Sequence, residues 1–221
     1  MQRVPPETRR NVVSIGLWWA GLALLAGGIA TVIAAGVGVG PLDVVTTALA
    51  RSTPLSIGAA IFTLNVAMAV GARALGARVR AATVLTALAL GPLVDAVLTM
   101  LDGAELFDGA DGLLRGGAWP WVGLIVGIVG IGAGGALQIT SGWGPSPLDA
   151  LAVAIVDSTR WSMRLVRTAL EVSFVVVGGL AGGALGAGTL LLAIGVGPVV
   201  ASALGRLEPL RHRLQRQRPP T

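Results

Sequence analysis

Long apolar runs separated by short polar interruptions set the pattern of this chain, and the lengths of those runs predict how each is used. Val12 to Ala35, Trp119 to Ile139 and Leu170 to Ala187 are the clearest. A helix rises ~1.5 Å per residue and the hydrocarbon core of a bilayer is ~30 Å thick, so about 20 such residues cross it. Six segments are expected to do so, at roughly 13–36, 55–74, 82–101, 119–140, 161–181 and 186–205. Two shorter helices are expected at 41–52 and 146–158. About 12 residues reach only ~18 Å, so these two are re-entrant or interfacial. The first run exceeds the ~7–15-residue core of a cleaved signal peptide and is expected to be a retained span. The fold class is therefore all-α, a polytopic membrane helix bundle.

The pattern repeats with an offset of 106 residues and no gap. "GVGVGPLDVVTTALARSTPLSIG" from Gly36 falls on "GWGPSPLDALAVAIVDSTRWSMR" from Gly142. Pro41, Leu42 and Asp43 meet Pro147, Leu148 and Asp149; Thr83 meets Thr189, and Gly91-Pro92 meets Gly197-Pro198. Alanine and glycine matches are cheap in such a composition, but Asp, Pro, Ser and Thr matches in constant register are not. Each copy reads as a span, a short helix and two more spans. Three spans per copy send the second copy into the membrane from the opposite side, giving an inverted 3+3 repeat. The chain then divides into an N-terminal tail (1–11), a first membrane repeat (12–101), an acidic loop (102–117), a second repeat (118–205) and a basic tail (206–221).

Composition sharpens this picture. The chain is 54% hydrophobic and 12% charged, against about 25% charged in an average soluble domain. All 16 basic residues are arginine, and there is no cysteine, which excludes disulfides, thiolate metal sites and cysteine nucleophiles. The net charge of +5 falls in loops and tails that flank spans, so membrane topology accounts for it and nucleic acid is not expected as a partner. With both termini cytoplasmic, the arginines of the 73–80 loop, Arg160, Arg164 and those of the C-terminal tail fall inside, and the acidic 102–117 loop falls outside. Only Arg51 and Arg115 are misplaced. Making the short helices span would put Arg73, Arg78 and Arg80 outside, so six spans fit better. Trp18, Trp19, Trp119, Trp121, Trp143 and Trp161 lie near the expected interfaces.

Candidate chemistry centres on "RLVRTALEVSFVVVGG", residues 164–179, where Glu171 sits ~15 Å beyond Trp161 and so close to the midplane. A charge there costs at least ~2.5–3.5 kcal/mol on insertion scales, so such residues usually face the protein interior. Its mate at offset 106 is Asn65, also mid-span, while Arg164 and Arg167 share its helix face. Three roles are open for this group: an Arg167–Glu171 pair that only pins packing, a substrate or coupling site with both arginines at its mouth, or a protonated, inert Glu171. Asp43 and Asp149, in the first turns of the short helices, either complement the helix dipoles or line a site where opposed short helices meet. Asp95 is a further intramembrane acid without a repeat mate, since Ala201 occupies that position. The glycine pairs Gly123/Gly127, Gly130/Gly134 and Gly178/Gly182 read as close-packing faces. "GIGAGG" at 130–135 matches a dinucleotide fingerprint formally, but it lies inside a span with no preceding strand. No Walker, HExxH or GxSxG motif is present, and no catalytic residue, metal or cofactor is expected.

The pairing of "GPLDVV…STPLSIG" with "GPSPLD…RLVRTALEV…GAGTLLLAIGVGP" resembles the YczE branch of the YczE/YyaS/YitT membrane proteins of bacteria, over roughly residues 12–205. The resemblance implies a multi-pass protein of the plasma membrane with duplicated halves, and supplies no substrate. Where that branch leads one to expect a charged residue beside the second proline motif, this chain has Pro147-Leu148. The functional expectation is a secondary transporter or exporter of a small solute. Glu171, Asn65, Arg167, Asp43 and Asp149 would line its site between the repeats. A non-transporting accessory or regulatory membrane protein is the alternative. Substrate, direction, coupling ion and oligomeric state are not specified by the sequence.

Overall fold

A computed structural model of the chain describes residues 6–103 and 117–216. Eight α-helices follow in order: α1 (Pro6–Ala35), α2 (Pro41–Ser52), α3 (Ile57–Ala74), α4 (Ala81–Gly103), α5 (Trp119–Ser141), α6 (Pro147–Thr159), α7 (Met163–Leu180) and α8 (Ala187–Arg216). No strand occurs among the described residues. The starts of α2 and α6, of α3 and α7, and of α4 and α8 are each 106 residues apart, as are the ends of α1 and α5. The acidic residues Glu105, Asp108 and Asp111 of the expected outer loop, together with Arg115, lie outside the described residues.

Local sequence explains where these helices begin. Ser56, Ser146 and Ser162 each precede a helix with extended backbone and accept a hydrogen bond from the N–H three residues on, at Ala59, Asp149 and Leu165. A serine in that place satisfies one of the donors that a helix start leaves unpaired. Proline occupies the first helical position of α2 and α6, where its missing N–H costs nothing.

Among the described residues, five helices are long and apolar enough to cross a membrane: Asn11–Ala35, Ile57–Ala74, Ala81–Asp102, Trp119–Ser141 and Ala187–His212. Large apolar side chains are exposed on them, among them Leu24, Val70, Ile125, Leu190 and Ile194, as expected of helices whose outer faces meet lipid. α7 has the same 18 residues as α3 but carries Arg164, Arg167 and Glu171, which separates it from the five. α8 runs on to Arg216, past the expected end of the last span near 205. The residues that extend it, mostly Leu, Arg, Glu and Gln, are good helix formers, and Pro209 does not break the helix.

Glycine lets α1 and α5 approach closely. A Cβ on Gly21 would lie 2.7 Å from the carbonyl oxygen of Gly134, and one on Gly28 would lie 2.8 Å from that of Gly127. α1 and α5 therefore run antiparallel with their backbones nearly touching, the packing that small residues permit between apolar helices. Residues 21 and 127, and 28 and 134, are themselves 106 apart, so the contact is reciprocal. Gly132 meets Val199 of α8 and Gly130 meets α1, so "GIGAGG" is a helix-packing surface. Of the other expected glycine faces, Gly178 lies against the Val44–Val45 backbone. Gly182 joins no face. It turns the chain after α7 with φ +83, and nothing lies within 4 Å of where its Cβ would be.

The short helices cross over between the two halves of the chain. α2 packs on α7 and α6 packs on α3. Ala150 and Ala154 of α6 are buried with Ala72 of α3. The loops before the short helices interlock in the same sense: Thr83 of α4 donates to the Pro145 carbonyl at 2.8 Å, and Gly188 of α8 donates its N–H to the Val37 carbonyl at 2.9 Å. Trp18 is 1% exposed and stacks 5.6 Å from Trp143. It is a core side chain, not an outward-facing interfacial anchor, whereas Trp19, Trp119, Trp121 and Trp161 are exposed.

Candidate functional site

A cavity of about 540 Å³ lies at the centre of this arrangement, with residues from all eight helices on its walls, α2 and α6 contributing only their first turns. Most of the lining is aliphatic, including Leu25, Ile29, Leu90, Ile131 and Val196, with Phe174 from α7. Asp43, Asn65, Gln138, Asp149, Arg167 and Glu171 form its polar part. Five of the seven candidates from the sequence thus share one cavity, drawn from both halves of the chain.

The charges within it are unevenly paired. Arg167 Nη1 donates to Asp149 Oδ1 at 2.6 Å, and Arg167 Nε donates to Glu171 Oε1 at 3.3 Å, one helical turn along α7. Arg167 is thus held between two carboxylates, the shorter contact going to α6 rather than to its own helix. Asp149 is held again by the Ser146 hydroxyl, which donates to Oδ2 at 2.8 Å. These side chains are about half exposed, so the cluster sits where the cavity opens. At the equivalent position of the first half, Asp43 has neither partner. Gly40 stands where Ser146 would be, and Ile61 where Arg167 would be. The Asp43 side chain is 9% exposed, and its carboxylate takes part in no hydrogen bond or ion pair among the described residues; only its backbone carbonyl is used, by Thr46 and Thr47.

Asn65 is 3% exposed, and its amide nitrogen donates to the Ile61 carbonyl at 2.8 Å. Gln138 was not singled out in the sequence. It is 9% exposed on the last turns of α5, and its Nε2 is a buried donor without a partner. The signal that would have found it is an amide in an otherwise apolar span. Comparison at offset 106 concealed it, because its mate is Val32.

Two candidates lie elsewhere. Arg164 is exposed, makes no ion pair among the described residues and does not line the cavity. Asp95 joins α4 to the start of α3: Oδ1 accepts the Gly58 N–H at 2.7 Å and Oδ2 accepts the Ser56 hydroxyl at 2.5 Å. It holds a helix start against a neighbouring helix. Arg51, misplaced by the positive-inside pattern, donates to the Gly182 carbonyl at 2.8 Å, just beyond the C-terminal end of α7, where a cation complements the helix dipole.

One side of the cavity lacks the closure found on the other. α3 and α4 touch through Gly58 and Gly91, where a Cβ on either would collide with the other's backbone. The residues 106 further on are Arg164 and Gly197, and α7 and α8 are not packed along one another. Nothing lies within 4 Å of a Cβ placed on Gly197. Ala193 and Gly197 both line the cavity and are exposed, so the space between α7 and α8 is its mouth. No group of three or more His, Cys, Asp or Glu residues disposed to hold a metal ion occurs among the described residues.

A family model described as a family of unknown function (DUF6198) matches residues 12–203. An uncharacterized protein of Haemophilus influenzae is 39% identical over 88 residues, 40% of each chain. The uncharacterized membrane protein YczE of Bacillus subtilis is 33% identical over 79 residues, 36% of this chain and 37% of that one. The chain thus matches about two fifths of the length of these curated relatives. No solved structure matches it.

Proposed function

The chain belongs to the DUF6198 family of unknown function and is an integral membrane protein, and on that premise we propose that it is a secondary transporter of a small solute. The observation that carries the proposal is the central cavity, in which Asp43 and Asn65 from one half of the chain face Asp149, Arg167 and Glu171 from the other. Ionisable groups at membrane depth are expensive and are associated with solute and ion pathways. In this proposal α7 is the sixth crossing, its charges turned to the cavity mouth. α2 and α6 are re-entrant, both termini are cytoplasmic and the membrane is the bacterial plasma membrane. The reciprocal antiparallel contact of α1 with α5, and the crossing of α2 onto α7 and α6 onto α3, support two inverted halves of three spans. Transporters so built place their site at the interface of the halves and rock one against the other.

Roles follow from the pairing. Glu171 and Asp149 share one arginine, so a solute or coupling ion that draws either carboxylate away redistributes charge between α6 and α7. The protein acts by binding and movement rather than by covalent chemistry, and an ion gradient drives it. The test is uptake by the purified full chain in proteoliposomes, screened against labelled solutes with and without a proton or sodium gradient. Gradient-dependent uptake that falls at least tenfold in Glu171→Gln, while the variant still purifies as a folded protein, is expected. Phenotypes in cells that survive Glu171→Gln at normal abundance, with no uptake in vesicles, would instead favour an accessory role.

A further inference from the structure

Asp43, in the first turn of α2, is the one cavity carboxylate whose side chain has no hydrogen-bond or ion-pair partner among the described residues. Removing an ionised carboxylate from water is costly unless a partner offsets the loss. Asp149 has Ser146 and Arg167, Glu171 has Arg167, and both are about two-fifths exposed. Asp43 is nine-tenths buried and has no partner among the described residues, and no basic group comes within 4 Å of it. Across the whole polar part of the cavity, three carboxyl groups face a single arginine. Gln138, also nine-tenths buried, lines the same space with its Nε2 unpaired. A cation is the complement of the first group, and a hydrogen-bond acceptor is the complement of the second.

The remaining walls restrict the cation further. Leu25, Ile29, Leu90, Ile131 and Phe174 offer dispersion contacts and no hydrogen bonds, so they fit an apolar body rather than a hydrated ion. The mouth between α7 and α8 lies within the apolar stretch Ala187–His212 and is flanked by exposed Leu190 and Ile194. A ligand dissolved in the bilayer reaches the cavity there without crossing water.

We infer that the cavity binds a lipophilic organic cation, an amine or quaternary ammonium ion with an apolar body, with Asp43 as its counter-charge and the space between α7 and α8 as its entrance. This deepens the transport reading and rests on it in assigning the ligand to the same cavity. The two can nonetheless fail separately, because occupancy is measurable without flux.

The test is equilibrium binding to the detergent-solubilised full chain, using benzyltrimethylammonium and butyl-, hexyl- and octylammonium, with benzenesulfonate as the anionic counterpart. At least one cation is expected to bind saturably and benzenesulfonate is not. Asp43→Asn, which keeps the shape of the side chain, is expected to weaken binding about tenfold or more, as for the loss of one charge-assisted contact. Asp43→Glu should restore part of it, and Asp95→Asn, outside the cavity, should change it little. Thermal unfolding of Asp43→Asn near that of the unaltered chain separates lost contact from lost fold. Saturable binding of none of the four cations, or binding undiminished in a folded Asp43→Asn, would overturn the inference. Cation binding without uptake in proteoliposomes would leave it standing and overturn the transport reading; uptake confined to anions or neutral solutes would do the reverse.

Discussion

Asp43 and Asp149 occupy equivalent places in "GPLD" and "SPLD", yet a hydroxyl and a guanidinium hold one while the other has no partner. Two substitutions at offset 106, Gly40 for Ser146 and Ile61 for Arg167, produce the whole difference. That Glu171, Arg167 and Asn65 would face the interior was legible, because a charged or amide group in an apolar run has few tolerable positions, and all three line the cavity. That Arg167 would prefer Asp149 over Glu171 was not, since this depends on how α6 approaches α7. Asp95 shows the same limit: an isolated intramembrane acid reads as a site residue, and only the fold brings it to the first turn of α3. Its role predicts that Asp95→Ala leaves the Gly58 N–H and the Ser56 hydroxyl without their acceptor, at a cost of about 1–2 kcal/mol. A lower thermal midpoint in detergent with unchanged ligand binding checks this. An unchanged midpoint with lost binding would return Asp95 to the site.

At the scale of the element, helix starts were the most legible feature, because proline and serine act on the backbone within one turn. The structure places the starts of α2, α5 and α6 within a residue of expectation. The end of α8 was less legible: a basic, proline-containing tail reads as irregular, yet Leu, Arg and Gln carry the helix to Arg216. Glycine faces were half legible. Composition marked Gly127 and Gly134 as packing residues but did not distinguish them from Gly182, which serves a turn. Their partners give a direct prediction. Gly28→Val would drive a branched side chain into the backbone of Ile131, whose nitrogen would lie 2.6 Å from the new Cβ. Overpacking of this kind costs about 1–3 kcal/mol. Gly16→Val, where nothing lies within 4 Å, should leave stability nearly unchanged. Thermal unfolding of the two variants side by side tests the α1–α5 contact, and equal losses would argue against it.

For the whole molecule, the offset of 106 residues was visible in the sequence, and the helix boundaries follow it. The difference between the halves was harder to see. Gly58 and Gly91 close α3 onto α4, while Arg164 and Gly197 leave α7 apart from α8. The molecule thus has one sealed side and one open side. Small residues at crossing points decide this, and their effect depends on which backbones approach. The central claim is that two opposed halves enclose one cavity. Leu75 and Ala181 test it most directly: both are exposed, both follow the last residue of a helix, and they are 106 residues apart. The native chain has no cysteine, so Leu75→Cys and Ala181→Cys can each be probed in intact cells with a membrane-impermeant maleimide. Opposed halves predict labelling of Ala181→Cys from outside and of Leu75→Cys only after permeabilisation. Labelling of both from the same side would contradict the account.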